Sequence, residues 1–355
     1  MSTKTLLLSH RDLRWVVRRV GLTPLMDELI ARLGAAFATF DERTTAIPVR
    51  TGFHYDRPAT GLIEWMPLMQ RHREVVMKIV GYHPDNPQAH GLPTILSTIT
   101  AYDTATGHLT AVADGTLLTA MRTGAASAVS SRLLASPASR TLGLIGCGAQ
   151  AVTQLHALSR VFALDEVLLC DVDPAALRSF PARVAGLVPS GIELRSCPAE
   201  EVVAGSDILS VATSVEVGRG PVFAPCESKP WLHVNAVGSD FPGKTELPLA
   251  FLQQCFVCPD TVAQARVEGE CQQLQPAEIG AGIVDVARKA ESYRSAQSRR
   301  TVFDSTGWAL EDQVALDLVL EHARALGLGS EMQIESVGHD PRDPYELVGD
   351  DGAAT

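Results

Sequence analysis

The sequence predicts an α/β protein of two units: a doubly wound parallel sheet wrapped by helices, and a discontinuous α+β unit on either side of it in the chain. Three observations predict this. From about Thr141 onward, short β-rich apolar runs alternate with helical stretches, the pattern of a parallel sheet with helical crossovers. Before about Ala120 the runs are turn-rich and hairpin-like. After the last strand-like run comes a long amphipathic stretch that can return the chain to the first unit. With 355 residues, 46% of them hydrophobic and 20% charged, the chain has material for two packed cores.

The first unit is expected over residues 1–122. It includes "TILSTITAYDTATGHLTAVADG", where "TATG" separates two β-branched runs as a hairpin turn. The second is expected over residues 123–307, with strands at "TLGLIG", "EVLLCD", "IELRS", "ILSVATS", "HVNAVG" and "CFVC". Between them, "AVTQLHALSRV" sets Val152, Leu155, Leu158 and Val161 at helical spacing, and "PAEEVVAGSD" reads as a short helix opened by proline. Residues 308–355 carry the returning helix, "TGWALEDQVALDLVLEHARALG", and an Asp/Gly/Ala-rich tail after Pro344 that is expected to fray.

Composition narrows the function. A net charge of -11 without a lysine or arginine run leaves counterion release from nucleic acid without a source. The acidic surface is permissive for a small cationic substrate. The N-terminal "MSTKTLLLSHRDLRWVV" breaks its apolar run after three leucines, unlike an export signal. No apolar stretch reaches the roughly 18 residues of a membrane span, so a cytoplasmic location is expected. The seven cysteines lack a repeated spacing, which fits a reducing compartment. Cys255 and Cys258 form a CxxC without a second ligand pair and read as packing residues. No metal is expected, since no His, Cys or carboxylate cluster has ligand spacing. His233 alternates within a strand and reads as structural, while His83 and His90 flank an exposed Pro/Asn-rich loop.

"LIGCGAQA" places Gly146, Gly148 and Ala151 as GxGxxA directly between a predicted strand and a predicted helix. The first glycine permits the tight turn, the second lets backbone approach a pyrophosphate at the helix N-terminus, and the small third residue lets helix pack on strand. The next strand ends in Asp171, where a carboxylate accepts hydrogen bonds from ribose hydroxyls and repels a 2′-phosphate. Together these predict a Rossmann-type NAD-binding domain, with NAD favoured over NADP.

Around these residues stand "GLIEWMP", "VMKIVGYHPDNP", "GLPTILSTITAYDTATG", "LLTAMRTGAASA", "NAVGSDFPGKTEL", "VEGECQQL" and "DSTGWALED". This ordered series, spanning residues 50–344, resembles the ornithine cyclodeaminase/μ-crystallin family. "EWMP", "VGYHPDNP", "GLPTIL", "GECQQL" and the step from Arg50 to Glu64 look most like its lysine-specific, pipecolate-forming members.

A free diamino acid needs cations for its carboxylate and anions for its amines. Lys78, in the otherwise apolar "VVMKIVG", must face a cavity or partner. The resemblance implies that Lys78 and Arg50 bind the carboxylate, with Arg122 where carboxylate and cofactor meet. It implies Asp240 as catalytic acid/base, Glu64 and Glu268 on the side-chain amine, and Thr306 facing the substrate. Besides Arg122 and the glycines, it assigns NAD contacts to Thr94, Ala149, Gln150, Asp171, Thr213, Ala236, Val237, Gly238, Lys244 and Ser305. Thr213 and Ser305 close strand-like runs, where α/β sheets place ligands.

The implied reaction is redox-neutral: hydride leaves Cα, the distal amine closes on the imine, ammonia departs and the hydride returns. Lysine gives pipecolate and ornithine gives proline. A ketimine reductase or amino-acid dehydrogenase of the same family remains open, as does a non-catalytic binder of the μ-crystallin type. The resemblance also implies a homodimer through the outer unit.

Overall fold

The computed structural model describes residues 4–338 and 340–346; most of the tail after Pro344 lies outside them. The first unit is built on a mostly antiparallel sheet. Its strands are β1 (Thr5–Leu8), β2 (Thr45–Ala46), β3 (Thr51–Tyr55), β4 (Gly61–Gln70), β5 (Glu74–Tyr82), β6 (Ile95–Asp103) and β7 (Leu109–Asp114). Among the described residues, only its β1–β7 pairing is parallel. The expected hairpin joins β6 to β7, with Thr100 opposite Val112.

The second sheet contains β8 (Thr141–Ile145), β9 (Glu166–Cys170), β10 (Glu193–Ser196), β11 (Ile208–Val211), β12 (His233–Ala236), β13 (Phe256–Pro259) and β14 (Thr301–Asp304). All its pairings are parallel, in the order β10-β9-β8-β11-β12-β14-β13. Apart from the partly exposed edge strand β10, these strands are largely buried on both faces. The order reverses between β8 and β11, so a crevice opens at their C-terminal ends.

Two helices join the sheets. Helix Thr116–Leu134 runs uninterrupted through the expected boundary after Arg122, packing on β6 as well as on β12 and β14. Its run of small residues, Ala125, Ala126, Ser127 and Ala128, is fully buried and lets neighbouring backbones approach closely. Helix Ala309–Leu326 follows β14 and lies across β4 and β5. Beyond it, β15 (Ser330–Met332) pairs antiparallel with β1, closing the first sheet with C-terminal residues.

Candidate active site

The glycine turn after β8 is shaped by its surroundings. Gly146 has φ +91°, and a Cβ there would overlap the Ala212 carbonyl oxygen, so only glycine fits. Gly148 caps helix Ala149–Ser159, and a Cβ on it would meet no protein atom within 4 Å. The space beside it is open to a ligand. Asp171, just past β9, accepts from the Cys147 amide at 2.6 Å and the Asp173 amide at 2.8 Å, which fixes its carboxylate beside the turn.

Glu246 ties the ends of β11 and β12 together. Its Oε1 accepts from the Thr213 amide and hydroxyl at 2.6 and 2.7 Å, and its Oε2 from the Gly238 amide at 3.0 Å. A Cβ at Gly238 would overlap this carboxylate, which burial holds above the usual pKa range. Ser305, past the end of β14, has a buried hydroxyl without a hydrogen-bond partner among the described residues.

Between the sheets lies a cavity of about 210 Å³. Gly148, Ala149, Gln150, Thr213, Val237, Gly238, Ser305 and Thr306 line it from the parallel-sheet side. Arg50, Glu64, Lys78, Thr94 and Arg122 line it from the other, and Asp240 joins them. Five expected residues lie off this wall: Gly146, Asp171, Ala236, Lys244 and Glu268.

The outer wall is ionic. Lys78 on β5 is 1% exposed and donates to Asp312 Oδ1 at 2.9 Å. Burial, and then the charge of Arg122, push its pKa down to about 8. Arg122 donates through Nε to the same oxygen at 3.1 Å and through Nη1 to Glu311 Oε2 at 2.7 Å. Arg50 stands between two carboxylates, with Nε 3.2 Å from Glu64 Oε2 and Nη2 paired with Glu268. Its Nη1 donates to the Thr306 carbonyl at 3.0 Å. Glu268 therefore sits behind Arg50, where Gln264 also donates to it at 2.8 Å.

Two expected contacts point elsewhere. The Thr306 hydroxyl donates to Asp260, at 3.0 Å to Oδ1, and away from the cavity. Lys244 is buried beneath Asp240 and donates to it at 2.9 Å, with the Thr213 carbonyl at 3.0 Å and the Tyr82 hydroxyl at 3.3 Å completing its shell. Burial opposes the Lys244 ammonium, but Asp240, Tyr82 and Glu246 together more than offset it and raise its pKa.

Sequence reasoning missed Glu311, Asp312, Glu246 and Tyr82. A signal for the first two was present. Four and seven residues on from Glu311 and Asp312 stand Ala315, Leu316, Leu318 and Val319, all buried, so both acids lie on the apolar stripe of their helix. His233 is fully buried against Thr301 and Asn235, and burial takes its pKa down to about 3. His83 is half-buried with Tyr55 as partner, and His90 is exposed. Cys255 and Cys258 are free and buried. Among the described residues, no group of three or more His, Cys, Asp or Glu is placed to hold a metal, and no helix is long and apolar enough to cross a membrane.

Residues 12–327 match the model of the ornithine cyclodeaminase/mu-crystallin family. The chain belongs to this family. Within the family, the L-lysine cyclodeaminase of Streptomyces rapamycinicus is 44% identical over 97% of this chain and 100% of its own. A solved lysine cyclodeaminase, described for its recognition of L-lysine, L-ornithine and L-2,4-diaminobutyric acid, superposes with a TM-score of 0.94 at 46% identity, covering 97% and 99% of the two chains. An archaeal alanine dehydrogenase dimer with bound NAD gives 0.81 at 30% identity, covering 94% and 100%.

Proposed function

We propose that this chain is an NAD-dependent cyclodeaminase converting L-lysine to L-pipecolate and ammonia, with no net oxidation or reduction. The observation that carries the reading is one cavity holding Asp240, Glu64 and the cations Lys78, Arg122 and Arg50. The similarity to lysine cyclodeaminase over nearly the whole chain supports it.

NAD fits the parallel-sheet wall. The space beside Gly148 is open, a helix N-terminus faces it, and the unpartnered Ser305 hydroxyl lines the cavity. Gly146, Gly148, Ala149 and Gln150 would hold the phosphates, Asp171 the adenosine ribose, and Thr94, Arg122, Thr213, Ala236, Val237, Gly238 and Ser305 the remainder. The chemistry NAD supplies when bound is acceptance and return of the Cα hydride.

The chain's own residues do the rest. Lys78, Arg122 and Arg50 hold the substrate carboxylate, and Glu268 acts through Arg50. Asp240 takes the proton from the amine so that its lone pair is free, while Lys244 orients that carboxylate. Glu64 holds the distal amine, folding a flexible chain so that its end reaches Cα.

Assembly and location extend the reading. β3 to β6 expose Phe53, Ile63, Ile79 and Leu96 on one face of the outer sheet, where registered pairs place Phe53 opposite Ile63 and Gly81 opposite Leu96. We assign this face to a homodimer contact. Seven free cysteines accord with the cytoplasm.

Enzyme incubated with L-lysine and catalytic NAD should release ammonia and pipecolate while absorbance at the NADH wavelength stays flat. Reduction of the whole NAD pool to NADH, with ammonia release halting at that amount, would assign an amino-acid dehydrogenase instead. Competition between lysine and ornithine, read by product chromatography, ranks the two substrates.

A further inference from the structure

We propose that Glu311 and Asp312 are resident counterions of the substrate-carboxylate site, and that Glu311 takes up a proton from solvent as the substrate carboxylate binds. The inference rests on the reading that Lys78 and Arg122 receive that carboxylate.

Three cations here, Arg50, Lys78 and Arg122, already face six carboxylates, Glu64, Asp240, Asp260, Glu268, Glu311 and Asp312, of which Asp240 has Lys244 as its own partner. A further buried anion without a further positive charge is strongly disfavoured. The ligand's ammonium is taken by Glu64, which pairs with Arg50, so at Lys78 and Arg122 the carboxylate arrives without a new positive charge: it must share a cation, and one resident anion must be neutralised. Geometry selects which. Asp312 Oδ1 accepts from both Lys78 and Arg122. Asp260 accepts from the Thr306 hydroxyl and the Gly307 amide at 2.7 Å. Glu64 pairs with Arg50 and His54, and Glu268 with Arg50 and Gln264.

Glu311 has one cationic partner, Arg122, and among the described residues its Oε1 is buried with no hydrogen-bond partner; Asp312 Oδ2 also lacks a hydrogen bond but lies 2.8 Å from the Lys78 ammonium. A proton on Glu311 Oε1 frees the Arg122 guanidinium for the substrate. Burial already lifts Glu311 to about 7, with Asp260 and Asp312 adding to the rise and Arg122 opposing it. The other charged groups along this helix are engaged further on: Asp317 with Arg73 beside Glu74, Glu321 with Arg32, and His322 with Glu28. Because the bound state holds the extra proton, affinity falls as pH rises above about 7, by up to roughly tenfold per unit.

The test titrates NAD-loaded enzyme with 6-aminohexanoate, which is lysine without its α-amine and cannot undergo the reaction. Calorimetry at about pH 7.5 in phosphate and in Tris, buffers of different ionisation enthalpy, should show most of one proton taken up per ligand. Glu311→Gln should bind with that uptake largely lost. Equal heats in the two buffers overturn the proposal, as does full uptake by Glu311→Gln, which would make Lys78 the acceptor. If that variant does not fold, the unmodified enzyme still decides: the affinity should break near pH 7 for Glu311, and a break only near pH 8 points to Lys78 and overturns it. Failure of the underlying reading looks different, since Lys78→Met and Arg122→Lys would then bind 6-aminohexanoate as tightly as the unmodified enzyme.

Discussion

The parallel-sheet wall of the cavity is made largely of backbone and neutral side chains, whereas the outer wall is made of buried ions. Gly148, Ala149, Gly238 and Ser305 stand ready because strand ends and a helix N-terminus put them there. Lys78 and Arg122 are held in place by Asp312 and Glu311, residues about 190 to 234 positions away in the chain. The first wall withstands changes made on the second, because its geometry is local. The second depends on every partner, since removing one member of a buried pair leaves an uncompensated charge.

Substitutions test this contrast, beginning with the largest effect. Asp240→Asn should lower kcat for lysine by roughly 10³-fold while NAD affinity holds, measured by ammonia release and by NAD titration of protein fluorescence. Unchanged turnover would remove Asp240 from the mechanism. Lys78→Met should lower kcat/KM for lysine by roughly 10²-fold, about 3 kcal/mol, again sparing NAD. An equal loss of NAD affinity would mean that the walls are not independent.

On the backbone side the two glycines should part company. Gly146→Ala, strained in φ and overlapping Ala212, should destabilise the fold by about 2 kcal/mol, seen as a lower Tm. Gly148→Ala should leave Tm nearly unchanged and weaken NAD alone, since its Cβ meets no protein atom. The smallest effect is expected from Asp171→Ser, a roughly tenfold loss of NAD affinity with less discrimination against NADP, read by parallel titrations.

The same contrast governs what could be read from the sequence. The backbone wall is encoded contiguously: GxGxxA, its flanking strand and helix, and Asp171 twenty residues after Ala151 fall within two elements. The ionic wall is assembled from distant segments, so Lys78 announced only that it needed a partner, and the sequence did not name Asp312. Glu311 and Asp312 look like favourable acids in the first turn of any helix, and only their register with Leu316 and Val319 betrays their burial. Lys244 was assigned to NAD by resemblance, whereas four residues along one loop bring it under Asp240. The boundary after Arg122 was misleading because the helix carrying that arginine belongs to both halves.

Helix Ala309–Leu326 and the strand after it carry a consequence for biosynthesis. The strand Thr5–Leu8 and the cation Lys78 are made well before their partners Ser330–Met332 and Asp312, more than two hundred residues further along the chain. The parallel-sheet half is complete in the emerging chain once Asp304 is clear of the ribosome, and by the usual order of domain folding it settles first. The substrate half must wait, with a lysine and an arginine uncompensated, until the final helix emerges to neutralise them. A chain stalled with Asp304 just clear of the ribosome and the helix from Ala309 still inside it should therefore retain NAD and remain open to protease in its N-terminal third.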